Sequence, residues 1–154
     1  MNTLSGVMDP EVPVLSVIDL GVIRDVRINQ SHVEVDIAPT YTGCPAMDVI
    51  SSSVEEAIIK LGVSKVEVNT VLTPPWTTDW ISEDGKRKLL DYGIAPPKNE
   101  GNQKRELFQS APEIACPRCK SNDTSCVSLF GSTACKSLYR CNACLEPFDY
   151  FKCL

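Results

Sequence analysis

"HVEVDIAPTYTGCPAMDVISSSVEEAIIKLG" (His32–Gly62) reads as a strand, a corner and a helix in succession. Val33, Val35 and Ile37 alternate with Glu34 and Asp36, the period-two pattern of a strand with one face toward a core. Beyond the corner, Met47, Ile50, Val54, Ala57, Ile58 and Leu61 recur at spacings of three and four, which lines them along one side of a helix. Gly62 suits its C-terminal stop. Just upstream, Val22, Arg24, Val26 and Ile28 alternate against Ile23, Asp25 and Arg27, and Asn29-Gln30-Ser31 makes a short turn, so a hairpin is expected. Lys65–Leu72 alternates once more. Strand, strand, helix, strand specifies an α+β fold of two layers, a sheet with one face covered by the helix. A further short helix is expected within "TTDWISEDGKRKLLDYG" (Thr77–Gly93), interrupted at Gly85 and closed by Gly93.

Composition divides the chain of 154 residues near residue 95. Residues 1–95 carry 14 acidic and 7 basic residues and one cysteine, whereas 116–154 carry 3 acidic and 5 basic residues and seven of the eight cysteines. Between them, 96–115 is polar and bounded by prolines, which suits a linker. A net charge of −5 argues against nonspecific grip on nucleic acid or an anionic membrane. The basic run Lys86-Arg87-Lys88 is short and follows Glu83 and Asp84. No stretch approaches the ~20 apolar residues of a membrane span. The first residues lack the basic start and apolar run of an export signal, so a cytoplasmic location is expected. Thiols stay reduced there, and eight cysteines then point to metal or thiol chemistry before disulfides.

Seven cysteines crowd the end. "CPRC" (Cys116–Cys119) and "CNAC" (Cys141–Cys144) are separated by 21 residues. Two such knuckles offer four thiolates, Cys116, Cys119, Cys141 and Cys144, to one tetrahedral ion, zinc being favoured over iron as the common structural metal. The intervening "SCVSLFG" and "SLYRC" and the following "PFDYFKC" read as the short strands of a zinc ribbon over 116–154. A segment that small buries too little apolar surface to fold unaided, so the metal supplies much of its stability. Phe148, Tyr150 and Phe151 suit either a protein partner or the ribbon's own core, and the ribbon itself either a folding clip or a docking module. Cys126, Cys135 and Cys153 are surplus to four ligands. Cys126 and Cys153 read as buried free thiols, and Cys135 as an alternative ligand.

Cys44 stands alone, between Gly43 and Pro45. Pro45 suits the first position of the helix, which puts Cys44 at the N-cap, where free N–H groups and the positive end of the dipole favour a thiolate. Gly43 leaves room for something large to approach. An exposed thiol of low pKa is the expectation. It would attack a substrate, join a redox pair or ligate a soft metal; the plain alternative is a small residue filling a tight turn. The sole histidine, His32, is expected to face solvent, which leaves no base for a nucleophile and favours metal or cluster chemistry. Asp9, before Pro10, reads as a turn or cap residue whose carboxylate is free to face the Cys44 corner.

Together, "DPEVPVLSVIDLGVI" (Asp9–Ile23) and "PTYTGCP" (Pro39–Pro45) resemble the MIP18-type (DUF59) domain of iron–sulfur assembly factors. "LTPPWTTDWISEDGKRKLLDYGIAPP" (Leu72–Pro97) and the ribbon resemble the PaaD component of phenylacetyl-CoA epoxidase systems, which serve phenylacetate degradation. The resemblance implies a mixed sheet covered by helices over 1–95, followed by the ribbon, and an accessory protein rather than an enzyme. It implies help in maturing or maintaining the iron or iron–sulfur centres of the oxygenase and its reductase. The family's acidic-motif aspartate, threonine and reactive cysteine fall on Asp9, Thr40 and Cys44, a site for iron or a transient iron–sulfur cluster. One such thiol per chain favours a homodimer or a transient transfer complex. The alternative is a zinc-stabilised adaptor that docks on the oxygenase without handling iron. Nucleic acid and membrane are not expected as partners.

Overall fold

The structure, a computed structural model, describes residues 3–97 and 113–152. Two compact units divide between Gly85 and Lys86.

The first unit is built on three strands. β1 (Ile23–Asn29) and β2 (His32–Ile37) form the expected hairpin, Asn29 pairing with His32 across a two-residue turn in which Gln30 takes φ +52. From β2 the chain passes through helix α1 (Ala46–Ile59) into β3 (Lys65–Thr70), which lies parallel to β2. The helical crossover makes that parallel pairing possible, because a tight turn cannot return the chain in the same direction. The sheet order is β1-β2-β3, mixed in sense. Val33, Val35 and Ile37 are buried on β2, and Met47, Ile50, Val54 and Ile58 on α1, as the two periodicities require. Each such side chain contributes roughly 1.5–3 kcal/mol when fully buried. Gly62, at φ +85, takes the left-handed conformation that ends the helical stretch.

The segment before β1 is locked by its own polar groups. Asp9 Oδ1 accepts the N–H groups of Glu11 and Val12, both at 2.7 Å. Asp19 Oδ2 accepts from the Ser16 hydroxyl at 2.7 Å, and the Asp19 carbonyl accepts the Ser82 N–H at 2.9 Å. Ser82 Oγ in turn accepts the Gly85 N–H at 2.9 Å, capping α2 (Glu83–Tyr92). Gly85 therefore does not interrupt this helix, contrary to expectation. Its role is clearance: a Cβ there would lie 3.1 Å from the Asp19 carbonyl oxygen.

The second unit carries a four-stranded sheet of order β4-β7-β6-β5. β4 is Ile94–Ala95, β5 Thr124–Ser128, β6 Lys136–Cys141 and β7 Pro147–Phe151. β5, β6 and β7 are antiparallel neighbours, while β4 runs parallel to β7. Ile94 and Ala95, read from sequence as the end of the first domain, thus belong to the ribbon's sheet. Ile114, Cys116, Tyr139, Cys141, Phe148 and Tyr150 cluster with Ala95 in one core. Tyr139 stacks on Phe148 and meets Tyr150 edge-on, both at 5.8 Å between centroids. Phe148, Tyr150 and Phe151 are buried, so these aromatics serve the ribbon's own packing rather than a partner. Most of the linker expected at 96–115 lies outside the described residues.

Candidate functional site

The four ribbon thiols converge. Cys116, Cys119, Cys141 and Cys144 place their sulfurs within 4.8 Å of one another. Cys116 Sγ lies 3.8 Å from Cys144 Sγ, and Cys119 Sγ 3.5 Å from Cys141 Sγ. A tetrahedral zinc with Zn–S bonds near 2.3 Å sets its sulfurs about 3.8 Å apart, so the donor set fits that ion. The two knuckles are built alike: the residue following each, Lys120 and Leu145, takes positive φ, at +63 and +65. That left-handed step reverses the chain so that both sulfurs of a knuckle face the same point. Cys144 N–H donates to Cys141 Sγ at 3.4 Å, and this is the main influence lowering the Cys141 pKa to about 7. For Cys144 the Glu146 N–H acts in the same direction, but burial and the neighbouring thiols Cys119, Cys141 and Cys116 outweigh it and push the value to about 12. An Arg118–Glu146 ion pair at 2.5 Å ties the two knuckles together.

Cys135 stands apart from this group. Its buried sulfur lies 3.1 Å from Thr133 Oγ1, and it is not an alternative ligand. Cys126 packs against the ribbon core, and Cys153 lies outside the described residues.

The Cys44 corner differs from its sequence reading. Pro45 occupies the N-cap and α1 begins at Ala46, which sets Cys44 one residue ahead of the cap. Gly43 has φ +80, and a Cβ placed on it would meet nothing within 4 Å, so the approach from that side is open. The thiol itself is half-buried. Its pKa is raised, first by burial and then by the negative charges of Glu11 and Asp9. Hydrogen bonds from the Ala46 N–H and the Tyr41 side chain oppose the rise without cancelling it. The expected exposed thiolate of low pKa is therefore corrected to a shielded thiol, because burial and two carboxylates outweigh the helix amide.

Asp9 and Cys44 are brought within reach of each other's charge, and Thr40 sits half-buried on the loop that carries Cys44. Glu11 is a neighbour that sequence reading passed over; its place two residues after Asp9, on the same turn, was the available signal. His32 is not solvent-facing as expected but half-buried, its ring set against Glu34 and Glu67.

Comparison with known proteins agrees with both halves. Residues 1–70 match the family described as iron-sulfur cluster assembly protein, and residues 100–152 the PaaD zinc beta ribbon domain. A crystal structure of a domain of unknown function, DUF59, from Bacillus anthracis superposes with a TM-score of 0.54 at 30% identity, over 57% of this chain and 85% of that one. A Bacillus subtilis (strain 168) protein named "Fe-S protein maturation auxiliary factor YitW" is 34% identical over 91 residues, 58% of this chain and 88% of its own. An Escherichia coli (strain K12) protein, named as a putative subunit of 1,2-phenylacetyl-CoA epoxidase, is 45% identical over 151 residues, 98% of this chain and 89% of its own. With likeness at that level over nearly its whole length, the chain belongs to the PaaD family of phenylacetyl-CoA epoxidase components.

Proposed function

We propose that this chain is a non-catalytic accessory protein that matures or maintains the iron or iron–sulfur centres of a phenylacetyl-CoA monooxygenase (epoxidase) system. The observation that carries the reading is a half-buried Cys44 thiol, beside an open approach at Gly43, that feels the negative charges of Glu11 and Asp9. Carboxylates that hold a proton on a thiol also attract a cation to it. Iron, as cargo, exchanges for that proton and gains a sulfur donor within the field of those carboxylates. Thr40 borders the same loop and is proposed to complete the site.

The names of the relatives support this assignment, one as a component of an epoxidase and another as an iron–sulfur maturation factor. The oxygenase and its reductase are the proposed partners, met in the cytoplasm in a transient complex or by a homodimer that pairs two Cys44 thiols. Among the described residues no helix is long and apolar enough to cross a membrane. Zinc held by Cys116, Cys119, Cys141 and Cys144 would crosslink the ribbon and shape it for docking. The second reading, an adaptor that never touches iron, draws on the raised pKa of Cys44.

The test is Cys44→Ser in cells lacking the native copy. Iron content and activity of the oxygenase and reductase should fall while the ribbon keeps its zinc. Full metallation of both by the variant would leave the adaptor as the surviving reading.

A further inference from the structure

The polar side of the three-stranded sheet gathers a second group of donors, which neither the ribbon nor the Cys44 corner uses. His32 opens β2, and Glu34 follows two residues on, so the two share a face. Glu67 of β3 stands in register with Glu34 and joins them. The imidazole lies between the carboxylates: Nδ1 is 4.0 Å from a Glu34 oxygen and Nε2 is 3.7 Å from Glu67 Oε2. Both separations exceed a hydrogen bond. Nε2 is moreover buried and has no hydrogen-bond partner.

Each carboxylate spends its other oxygen on a cation. Glu34 Oε2 accepts from Arg27 Nε at 3.1 Å, and Glu67 Oε1 pairs with Lys65 Nζ at 2.5 Å. These partners fix which oxygen faces the ring. Lys65 chiefly, with a smaller part from His32, holds the Glu67 carboxyl below its usual range, so it is ionised at neutral pH.

We infer that His32, Glu34 and Glu67 form a binding site for a first-row divalent cation, with one imidazole nitrogen of His32 as the nitrogen donor and one oxygen of each carboxylate completing it. The three donor atoms lie within 4.8 Å of one another. An ion with bonds of about 2.1 Å in tetrahedral geometry sets its donors about 3.4 Å apart. The nearest approaches, 3.7 Å to Glu67 and 4.0 Å to Glu34, are somewhat longer than that edge and involve different ring nitrogens, so a rotation of the imidazole together with the glutamate side chains closes the site on one nitrogen. One imidazole and two carboxylates suit zinc, manganese or ferrous iron rather than a soft ion. Arg27 and Lys65 orient the ligands from outside, as outer partners do in metal sites. The inference does not depend on any role for Cys44.

Cobalt(II) titrated anaerobically into the full chain, with ribbon zinc in place, provides the test. One further equivalent should bind and give weak d–d absorption without thiolate charge-transfer bands, which separates it from the ribbon and from Cys44. His32→Gln should weaken that equivalent at least about tenfold, the loss that outer-partner changes already produce. Glu67→Gln should act in the same direction, and ribbon zinc should be unchanged in both. Cobalt seen only with thiolate bands, or bound equally by His32→Gln, overturns the site and leaves His32 as a half-buried imidazole packed between two ion pairs.

Discussion

Gly21 and Trp80 approach so closely that a Cβ on the glycine would stand 2.3 Å from the tryptophan's carbonyl oxygen. Gly21 also has φ +70, so a side chain there would be strained as well as crowded. Trp76 Nε1 donates to the Leu20 carbonyl at 2.9 Å, and the Arg24 guanidinium lies 3.3 Å from the centroid of the Trp80 ring. The stretch bearing both tryptophans is thus clamped over residues Leu20–Arg24, where the chain enters β1. Gly21→Ala should destabilise the first unit by roughly 2–4 kcal/mol, the sum of clash and backbone strain. Urea unfolding followed by tryptophan fluorescence measures it, and a change within about ±0.5 kcal/mol, the range of ordinary surface substitutions, contradicts it.

Loss of the ribbon metal should be local. A chelator, or Cys116→Ser, should abolish zinc binding and the near-ultraviolet signal of Tyr139, Phe148 and Tyr150, while the tryptophan-bearing unit keeps its own unfolding transition. Thiolates are the ligands, so acidification should release zinc and raising the pH should restore it. Elemental analysis showing unchanged zinc in Cys116→Ser would rule out the four-sulfur site.

Cys44 should alkylate more slowly at neutral pH than a free peptide thiol, because its raised pKa leaves less thiolate. Glu11→Gln removes a negative neighbour, which lowers the pKa and should speed the reaction. Peptide mapping of the zinc-loaded protein after timed iodoacetamide treatment reads both rates. A slower reaction in Glu11→Gln would contradict the charge assignment.

Arg27 bridges Asp25, Glu34 and Asp36 across the polar sheet face, at 2.7, 3.1 and 2.6 Å. Its hydrogen bonds, above all, hold the Asp36 carboxyl below the usual aspartate range. A depressed pKa stabilises the fold above the unfolded-state value, and that contribution disappears as pH falls through the folded one. Arg27→Met should therefore shift the urea midpoint slightly downward at neutral pH, and the two proteins should converge in acid. The effect stays small because the pair is exposed and screened. A difference that persists unchanged at low pH would assign the loss to packing instead.

Local pattern carried much of the architecture. The alternation in β1, β2 and β3 and the three-four spacing of α1 are properties of contiguous residues, and the spacing of the two CxxC pairs is likewise local. What sequence reading lost depends on distant atoms. Gly85 looks like a helix breaker until the Asp19 carbonyl is seen beside it. β4 is only Ile94–Ala95, too short for any period, and exists because β7 offers an edge. The expected low pKa of Cys44 followed soundly from a helix start, yet burial and two carboxylates from more than thirty residues upstream reverse it.

That short pairing of β4 with β7 also sets what can be exchanged between relatives. The ribbon is not the span between its first and last cysteine. A chimera that transplants it from Cys116 onward would leave β7 with a bare row of amides and carbonyls, an edge open to strands of other chains. A graft that begins ahead of Ile94 carries its own guard strand. The sheet that carries the ribbon therefore starts upstream of every cysteine that defines it, in two residues, Ile94 and Ala95, with no metal-binding side chain.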